Sequence, residues 1–289
     1  MSSYMRIVPF IRLTRWGDWI LNIGFVLVGF FLHRPEPGLY ALLLPMVVVF
    51  FLVESFGFAI NDYFDAPFDK LKRTTSNVIS RGLLKKSDAA VFIVFLLFSG
   101  LVLSFIYLPV VSFFFIALLY LLYFAYSSPP FRLKEKAFLG MITHGAWSSM
   151  LLLASSLIVS SLEMITILMS ISAFLLSVLV CITQEVRDTN PDRKAKFRTT
   201  TIVLGYGRSL TLIRAIFLLA NAVFFVIVVF YLPVYTLLLM ASSVFYLKLL
   251  FGSPSQKTLY KKTLVSWNRG IAVAFVMGII MLPFYLGVV

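Results

Sequence analysis

Two acidic clusters carry the residues most able to do chemistry: Asn61-Asp62-Tyr63-Phe64-Asp65-Ala66-Pro67-Phe68-Asp69 and Glu185-Val186-Arg187-Asp188-Thr189-Asn190-Pro191-Asp192. Asp62, Asp65, Asp69, Glu185, Asp188 and Asp192 are half of the 12 acidic side chains in a chain that is otherwise basic and apolar. On a helix, Asn61, Asp65 and Asp69 stand at i, i+4 and i+8, and Glu185, Asp188 and Asp192 at i, i+3 and i+7, so each trio shares one face. Proline precedes the last Asp of each cluster (Pro67 and Pro191), which predicts that the helix ends or kinks there and places Asp69 and Asp192 in loops. Hard oxygen ligands without a neighbouring thiolate or imidazole favour Mg²⁺, which takes one or two carboxylates and completes its shell with water and substrate phosphate. The flanking cations Lys70, Lys72, Arg73, Arg187, Arg193, Lys194 and Arg198 supply the other half of a diphosphate site, because a departing diphosphate needs both metal and cationic donors.

Each cluster ends a long apolar run. The 289 residues are 61% hydrophobic and 13% charged, against roughly a quarter charged in globular chains, so lipid is the solvent for most of the chain. Carboxylates at the edge of lipid cost several kcal/mol unless paired or metal-bound, and two clusters at matching positions therefore imply a shared function. The single cysteine, Cys181, excludes an internal disulfide framework and a multi-cysteine metal site, and its apolar setting predicts a packed thiol.

Segments of about 20 apolar residues predict an all-α integral membrane protein with nine transmembrane helices, near 18–33, 39–61, 88–107, 109–126, 137–159, 164–185, 209–231, 233–251 and 267–288. Tyr107-Leu108-Pro109 and Tyr231-Leu232-Pro233 are predicted tight turns, each with Pro opening the next helix. Met1 to Trp19 carries Arg6, Arg12 and Arg15 without a small-residue cleavage site, which predicts an interfacial cytosolic segment and no signal peptide. All but Arg34 of the 25 basic residues fall in the N-terminus or in 70–86, 132–136, 187–214 and 248–269. The positive-inside rule then puts the N-terminus and both acidic clusters in the cytoplasm and the C-terminus outside. The net charge of +13 is cytoplasmic-face charge that suits anionic headgroups and a phosphorylated substrate; no basic domain stands clear of the membrane to bind nucleic acid, and no obligate protein partner is evident.

Asp65 follows the second predicted span and Asp188 the sixth, four helices later. This spacing predicts a single domain over 1–289 made of two pseudo-repeated four-helix units, about 18–126 and 137–251, plus a final helix, with the acidic loops facing one another across a central cavity. Aromatic ring faces can stabilise a carbocation, and Tyr126, in Tyr126-Ser127-Ser128-Pro129-Pro130, is the candidate at a cytoplasmic span end; an interfacial belt tyrosine is the alternative role. His144, Trp147 and Asn22 lie within spans and are read as helix–helix hydrogen-bonding residues. The span interiors read as nearly uncharged, which counts against the alternative of a cation-coupled transporter. A phosphotransferase for nucleotide-activated alcohols would carry an Asp-Gly-x-x-Ala-Arg pattern that is missing from the chain.

These motifs resemble the UbiA superfamily of intramembrane prenyltransferases. Asn61 to Asp69 is similar to the family's Asn-Asp-x-x-Asp-x-x-x-Asp signature, and Asn77-Val78-Ile79-Ser80-Arg81-Gly82 to the stretch that follows it. Glu185 to Asp192 is similar to the second Asp-rich motif, and Arg198-Thr199-Thr200-Thr201-Ile202-Val203-Leu204-Gly205 to its trailing segment. Three positions depart from the pattern. Glu185 stands where many members have Asp, 70–81 lacks an Arg-Pro pair, and Pro130 occupies a position that is Lys in some members, leaving Arg132 or Lys134 to substitute. The resemblance implies nine helices around a cavity open laterally to lipid, and transfer of a polyprenyl group from its diphosphate to a lipophilic acceptor at a plasma membrane. It implies Mg²⁺ held by Asp65, Asp69, Asp188 and Asp192 and oriented by Asn61, Asp62 and Glu185. Diphosphate contacts are implied for Lys70, Arg73, Arg81, Lys134, Lys194 and Arg198, with Tyr126 facing the allylic cation.

Overall fold

The computed structural model describes residues 3–70 and 76–231, and all regular structure among them is helical. The α-helices are α1 (Ser3–Leu13), α2 (Trp16–Trp19), α3 (Ile23–Phe31), α4 (Leu43–Asp69), α5 (Lys86–Tyr107), α6 (Val110–Ser127), α7 (Leu139–Ser156), α8 (Met164–Lys194) and α9 (Thr200–Tyr231). Among the described residues, five stretches are long and apolar enough to cross a membrane: Pro37–Asp69, Lys86–Tyr107, Val110–Ser127, Met164–Lys194 and Thr200–Tyr231. Their exposed faces are apolar. On α5, Val91, Val94, Phe95, Phe98, Val102 and Phe105 form an outward stripe at helical spacing, and Val110, Phe114, Leu118 and Leu121 do the same on α6. Water would not tolerate such stripes; lipid does. The chain is an integral membrane protein.

Two expectations change, at the predicted span 18–33 and at the two prolines. The predicted span at 18–33 is not one helix, because a 3₁₀ turn at Ile20–Asn22 separates α2 from α3. Predicted spans at 233–251 and 267–288, and the turn at Tyr231-Leu232-Pro233 beyond its first residue, lie outside the described residues. The prolines do not end the acidic helices: α4 continues through Pro67 to Asp69 and α8 through Pro191 to Lys194. Both prolines fall in the last turn, where each removes only its own N–H bond, and the ladder resumes at once with Lys70 N–H to Ala66 O and Ala195 N–H to Pro191 O. Asp69 and Asp192 are therefore helical residues whose direction is fixed by the helix.

The chain divides into two compact units, residues 1–133 with 153–160, and residues 134–152 with 161–231 of the described chain. In the first, α4 packs against α5 and α6 through Val49, Phe50, Val53, Phe56, Ile93, Leu96, Ile116 and Leu119, all buried. Two glycines let aromatic side chains approach the backbone. An added Cβ at Gly57 would lie 2.6 Å from the Tyr123 ring, and one at Gly100 would lie 1.8 Å from the Tyr120 hydroxyl, which donates to Leu96 O at 3.1 Å. Leu108 breaks the helix between α5 and α6, and Pro109 serves as the N-cap of α6, so the predicted tight turn is present with Pro one position before the helix. In α1, Ile7 and Ile11 are exposed while Phe10 meets Phe92 of α5 with ring centroids 5.3 Å apart.

In the second unit, α8 and α9 interlock through Leu175, Leu179, Ile182 and Val186 on one side and Leu210, Ile213, Phe217 and Ala220 on the other. These residues recur every three or four positions, as a helix–helix seam requires. Cys181 is buried in this seam, as its apolar setting predicted. Gly205, at φ 75°, interrupts α9 one turn from its start in a backbone conformation that residues with a Cβ rarely adopt. Gly100→Leu is expected to force Tyr120 off α5 and lower stability by about 1–3 kcal/mol, read as a drop in the thermal unfolding midpoint in detergent; an unchanged midpoint would show that the α5–α6 contact is looser than this geometry.

Candidate active site

The first acidic motif lies on the last two turns of α4, and the helix sorts its side chains by azimuth. Asn61 and Asp65 stand one turn apart, as do Asp65 and Asp69, whereas Asp62 and Asp69 are seven residues apart and about 20° apart around the axis. The partners follow this division. Asn61 Oδ1 accepts from the Ser127 hydroxyl at 3.2 Å, and Asp65 pairs with Arg132 at 3.4 Å. Asp62 is buried and pairs with Arg15 at 3.2 Å, while Asp69, also buried, accepts from the Asn77 amide at 3.0 Å.

Arg15 and Asn77 act as organisers. The Arg15 guanidinium bonds Asp18 at 2.7 Å and Asp62 at 3.2 Å, at a residue in left-handed conformation (φ 50°) between α1 and α2. Burial opposes its charge, and the facing carboxylates of Asp62 and Asp18 outweigh that cost, raising its pKa above the usual arginine value. Asn77 uses both ends of its amide. Its NH₂ donates to Asp62 O at 2.8 Å and to Asp69, and its Oδ1 accepts from the Ile79 and Ser80 backbone N–H groups at 3.0 and 3.2 Å. Ser80 adds a bond to Ala66 O at 2.9 Å. The stretch Asn77–Ser80 is thereby folded back onto the motif helix.

Tyr126 is the residue before Ser127, at the same end of α6, and is partly exposed. Of the two residues open as substitutes at the Pro130 position, Arg132 reaches the motif through Asp65 and also stacks over the Phe68 ring at 4.9 Å. Lys70 and Arg81 are exposed at the end of the motif, Lys134 is partly exposed in the second unit, and Arg73 lies outside the described residues.

The second motif occupies the last three turns of α8. Glu185, Asp188 and Asp192 do share one face, but their side chains have different engagements. Glu185 is buried and its Oε2 accepts from the Thr201 backbone N–H at 3.0 Å, so it caps the start of α9. An orphan N–H at a buried helix start is a strong claim on a carboxylate, and this bond fixes the direction of the Glu185 side chain. Asp188 is bound in a two-point pair by Arg187, at 2.7 and 2.5 Å; Arg187 is exposed and Asp188 partly so. Asp192 is partly exposed, and Lys194 and Arg198 are exposed. The Arg198 backbone is pinned to Glu135 O at 3.0 Å, and Phe138 N–H to the Thr200 hydroxyl at 2.9 Å.

No group of three or more His, Cys, Asp or Glu side chains converges on a metal-sized point among the described residues. The donor set still fits Mg²⁺. Each motif offers two aspartates on one helix, Asp65 with Asp69 and Asp188 with Asp192, and Mg²⁺ takes one or two carboxylates with the remaining positions left to water and phosphate.

Sequence reasoning overlooked Arg15, Asn77, Ser127 and Thr201 as partners of the motifs. It also passed over Glu54, a fully buried carboxylate inside α4 and an exception within span interiors read as nearly uncharged. Of these, only Glu54 had a visible signal, a lone carboxylate in an apolar run. His144 and Asn22 do bond across helices, to Ser177 at 2.7 Å and to Glu54 at 2.6 Å.

An all-helical chain with lipid-facing apolar stripes and acidic, cation-flanked helix ends defines a membrane-embedded class of protein. The chain belongs to the UbiA prenyltransferase family, whose model matches residues 22–270. It is 30% identical over 164 residues to the digeranylgeranylglyceryl phosphate synthase of Thermococcus gammatolerans, covering 55% of this chain and 57% of that protein. It is 29% identical over 201 residues to the synthase of the same name from Pyrococcus horikoshii, covering 69% and 70%. The chain thus spans little more than half of the Thermococcus relative. Among solved structures, a UbiA homolog from Archaeoglobus fulgidus bound to DMAPP and Mg²⁺ is similar with a TM-score of 0.77, 18% identity and coverage of 93% and 96%. A structure of a digeranylgeranylglyceryl phosphate synthase in membranes is similar at 0.75, with 20% identity and coverage of 94% and 98%.

Capping by Glu185 has a measurable consequence. Glu185→Gln keeps an acceptor for Thr201 and is expected to retain near wild-type stability, whereas Glu185→Ala leaves the N–H unsatisfied and costs about 1–3 kcal/mol. Thermal unfolding of both variants in detergent checks this; equal stability of the two would remove the capping role.

Proposed function

We propose that the chain is a Mg²⁺-dependent intramembrane prenyltransferase that moves a geranylgeranyl-type group from its diphosphate to the hydroxyl of a lipophilic glycerophosphate acceptor. The observation that carries the reading is the pair of aspartates at helical spacing at the end of α4 and of α8, each ringed by cations, in a member of this family. The acceptor class rests on the likeness to two digeranylgeranylglyceryl phosphate synthases.

In this reading Asp65 and Asp69 from α4, and Asp188 and Asp192 from α8, hold Mg²⁺, with Asn61 and Asp62 orienting the first set. Bound Mg²⁺ would neutralise the diphosphate oxygens as negative charge develops on them. Lys70, Arg81, Lys194 and Arg198, exposed beside the motifs, supply further positive charge to the leaving group, as do Arg73 and Lys134. Arg132 holds Asp65 in place through the ion pair between them. The allylic carbon–oxygen bond breaks, the ring face of Tyr126 stabilises the cation, and the acceptor hydroxyl oxygen forms the new bond as its proton leaves. The apolar spans receive the prenyl chain and the acceptor's hydrocarbon. The positive-inside distribution supports a cytoplasm-facing site in a plasma membrane.

A cation-coupled transporter would need an accessible carboxylate within the bilayer. Glu54, the one such residue among the described spans, has no exposure and both its oxygens are bonded. Purified protein given radiolabelled geranylgeranyl diphosphate, Mg²⁺ and geranylgeranylglyceryl phosphate is expected to yield the doubly prenylated ether and free diphosphate. Aromatic acceptors should be poor; a preference for them would overturn the acceptor assignment. Asp65→Ala and Asp188→Ala should each abolish diphosphate release, by at least about 10²-fold, with the fold intact, and EDTA should do the same reversibly. Full activity in either variant would sink the reading.

A further inference from the structure

A carboxylate in the middle of a membrane-spanning helix is unfavourable by several kcal/mol unless partners satisfy it. Glu54, on α4, is fully buried and receives one donor on each oxygen. The Tyr123 hydroxyl of α6 donates to Oε1, and the Asn22 amide of the 3₁₀ turn at Ile20–Asn22 donates to Oε2 at 2.6 Å. One carboxylate thus ties three elements of the first unit together.

The position of this junction relates it to the acidic motif. Glu54 precedes Asn61 by seven residues, which is about 10 Å along the axis and about 20° around it. Tyr123 precedes Ser127 by four residues, and the Ser127 hydroxyl donates to Asn61 at 3.2 Å. The seam between α4 and α6 is therefore closed by polar bonds at two levels, Glu54 with Tyr123 inside and Asn61 with Ser127 at the end. Gly57 lies between those levels and gives the Tyr123 ring its place against α4. Apolar packing alone tolerates rotation and slip of one helix on another, whereas a buried directional bond does not. Turning α4 by the angle of a single residue, about 100°, would take Asn61 from Ser127 and Asp65 from Arg132.

We propose that Glu54 is a positioning residue for the metal–diphosphate site, setting the azimuth of α4 from two turns inside the membrane through Tyr123 and Asn22. The inference rests on the prenyltransferase reading for its substrate. Its chemistry is one of orientation: Glu54 touches neither metal nor substrate and exchanges no proton.

The test compares Glu54→Leu, which removes both acceptors at similar volume, with Glu54→Gln. The Gln carbonyl can accept from Tyr123, and its NH₂ can donate to an Asn22 amide turned to present its oxygen. Binding of Mn²⁺ with inorganic diphosphate is followed by EPR of the free ion, without turnover, next to KM and kcat for geranylgeranyl diphosphate. Glu54→Leu is expected to weaken Mn²⁺ binding by up to about 10-fold, the lower end of the range for groups bonded directly to metal ligands because Glu54 acts a step further away, and to raise KM more than it lowers kcat. Glu54→Gln is expected to restore both. If Glu54→Leu does not fold, Tyr123→Phe, which keeps the ring beside Gly57 and removes the donor, should shift Mn²⁺ binding in the same direction by less. Wild-type Mn²⁺ affinity in the folded Leu variant, or in Tyr123→Phe where the Leu variant fails, overturns the proposal, as does equal damage in the Gln and Leu variants. Wild-type protein that binds Mn²⁺ and diphosphate but transfers no prenyl group would instead overturn the functional reading and leave the positioning role standing.

Discussion

A carboxylate carried to the edge of a bilayer loses part of its hydration, and the loss must be made good by a charge, a donor or a metal. This constraint organises the first unit around the end of α4. Asp62 recruits Arg15 from the segment before the first membrane helices, Asp65 recruits Arg132 from beyond α6, and Asp69 recruits Asn77 from the stretch before α5. Each partner comes from a different part of the chain. The motif therefore acts as the point at which the N-terminal segment, the two following helices and their connections are fastened, quite apart from any ligand. These ion pairs are partly buried, so each keeps some contact with solvent while fixing where its two segments meet.

The two motifs meet this constraint differently. On α4 the buried aspartates are met by side chains from outside the helix, Asp62 by the Arg15 guanidinium and Asp69 by the Asn77 amide. On α8 the buried member, Glu185, accepts from the Thr201 N–H in the first turn of α9, and Asp188 takes its neighbour Arg187 in the more exposed final turns. The substitution of Glu for the family's frequent Asp is consistent with this geometry, since the longer arm reaches across to Thr201. Asp188 and Asp192 are left at the wetter end of the helix. The same charge in the two motifs thus supports unequal divisions of labour between structure and chemistry.

Much was legible from the chain as written. The apolar runs predicted the positions of α4 through α9 to within a few residues at most ends, because lipid imposes a length on any helix that crosses it. The helical spacing of Asn61, Asp65 and Asp69 predicted a shared face. What failed was local: Pro67 and Pro191 suggested loops where the helices run on, since a proline in a last turn removes a single bond. Glu54 was passed over because one carboxylate scarcely alters the hydropathy of a long apolar run, although it lies two turns from Asn61 on the same side of the helix.

The sequence by itself determined that this is a helical membrane chain, that its carboxylates cluster at two helix ends, and that its cations gather beside them. Those properties follow from composition and from the periodicity of a single helix, which need no knowledge of neighbours. The tertiary structure alone decided which carboxylate meets which partner. Arg15 reaches Asp62 across 47 positions, Arg132 reaches Asp65 across 67, and Tyr123 reaches Glu54 across 69. Such pairings depend on how helices rotate and pack against one another, a set of angles fixed by glycine clefts and buried hydrogen bonds that no one-dimensional period encodes.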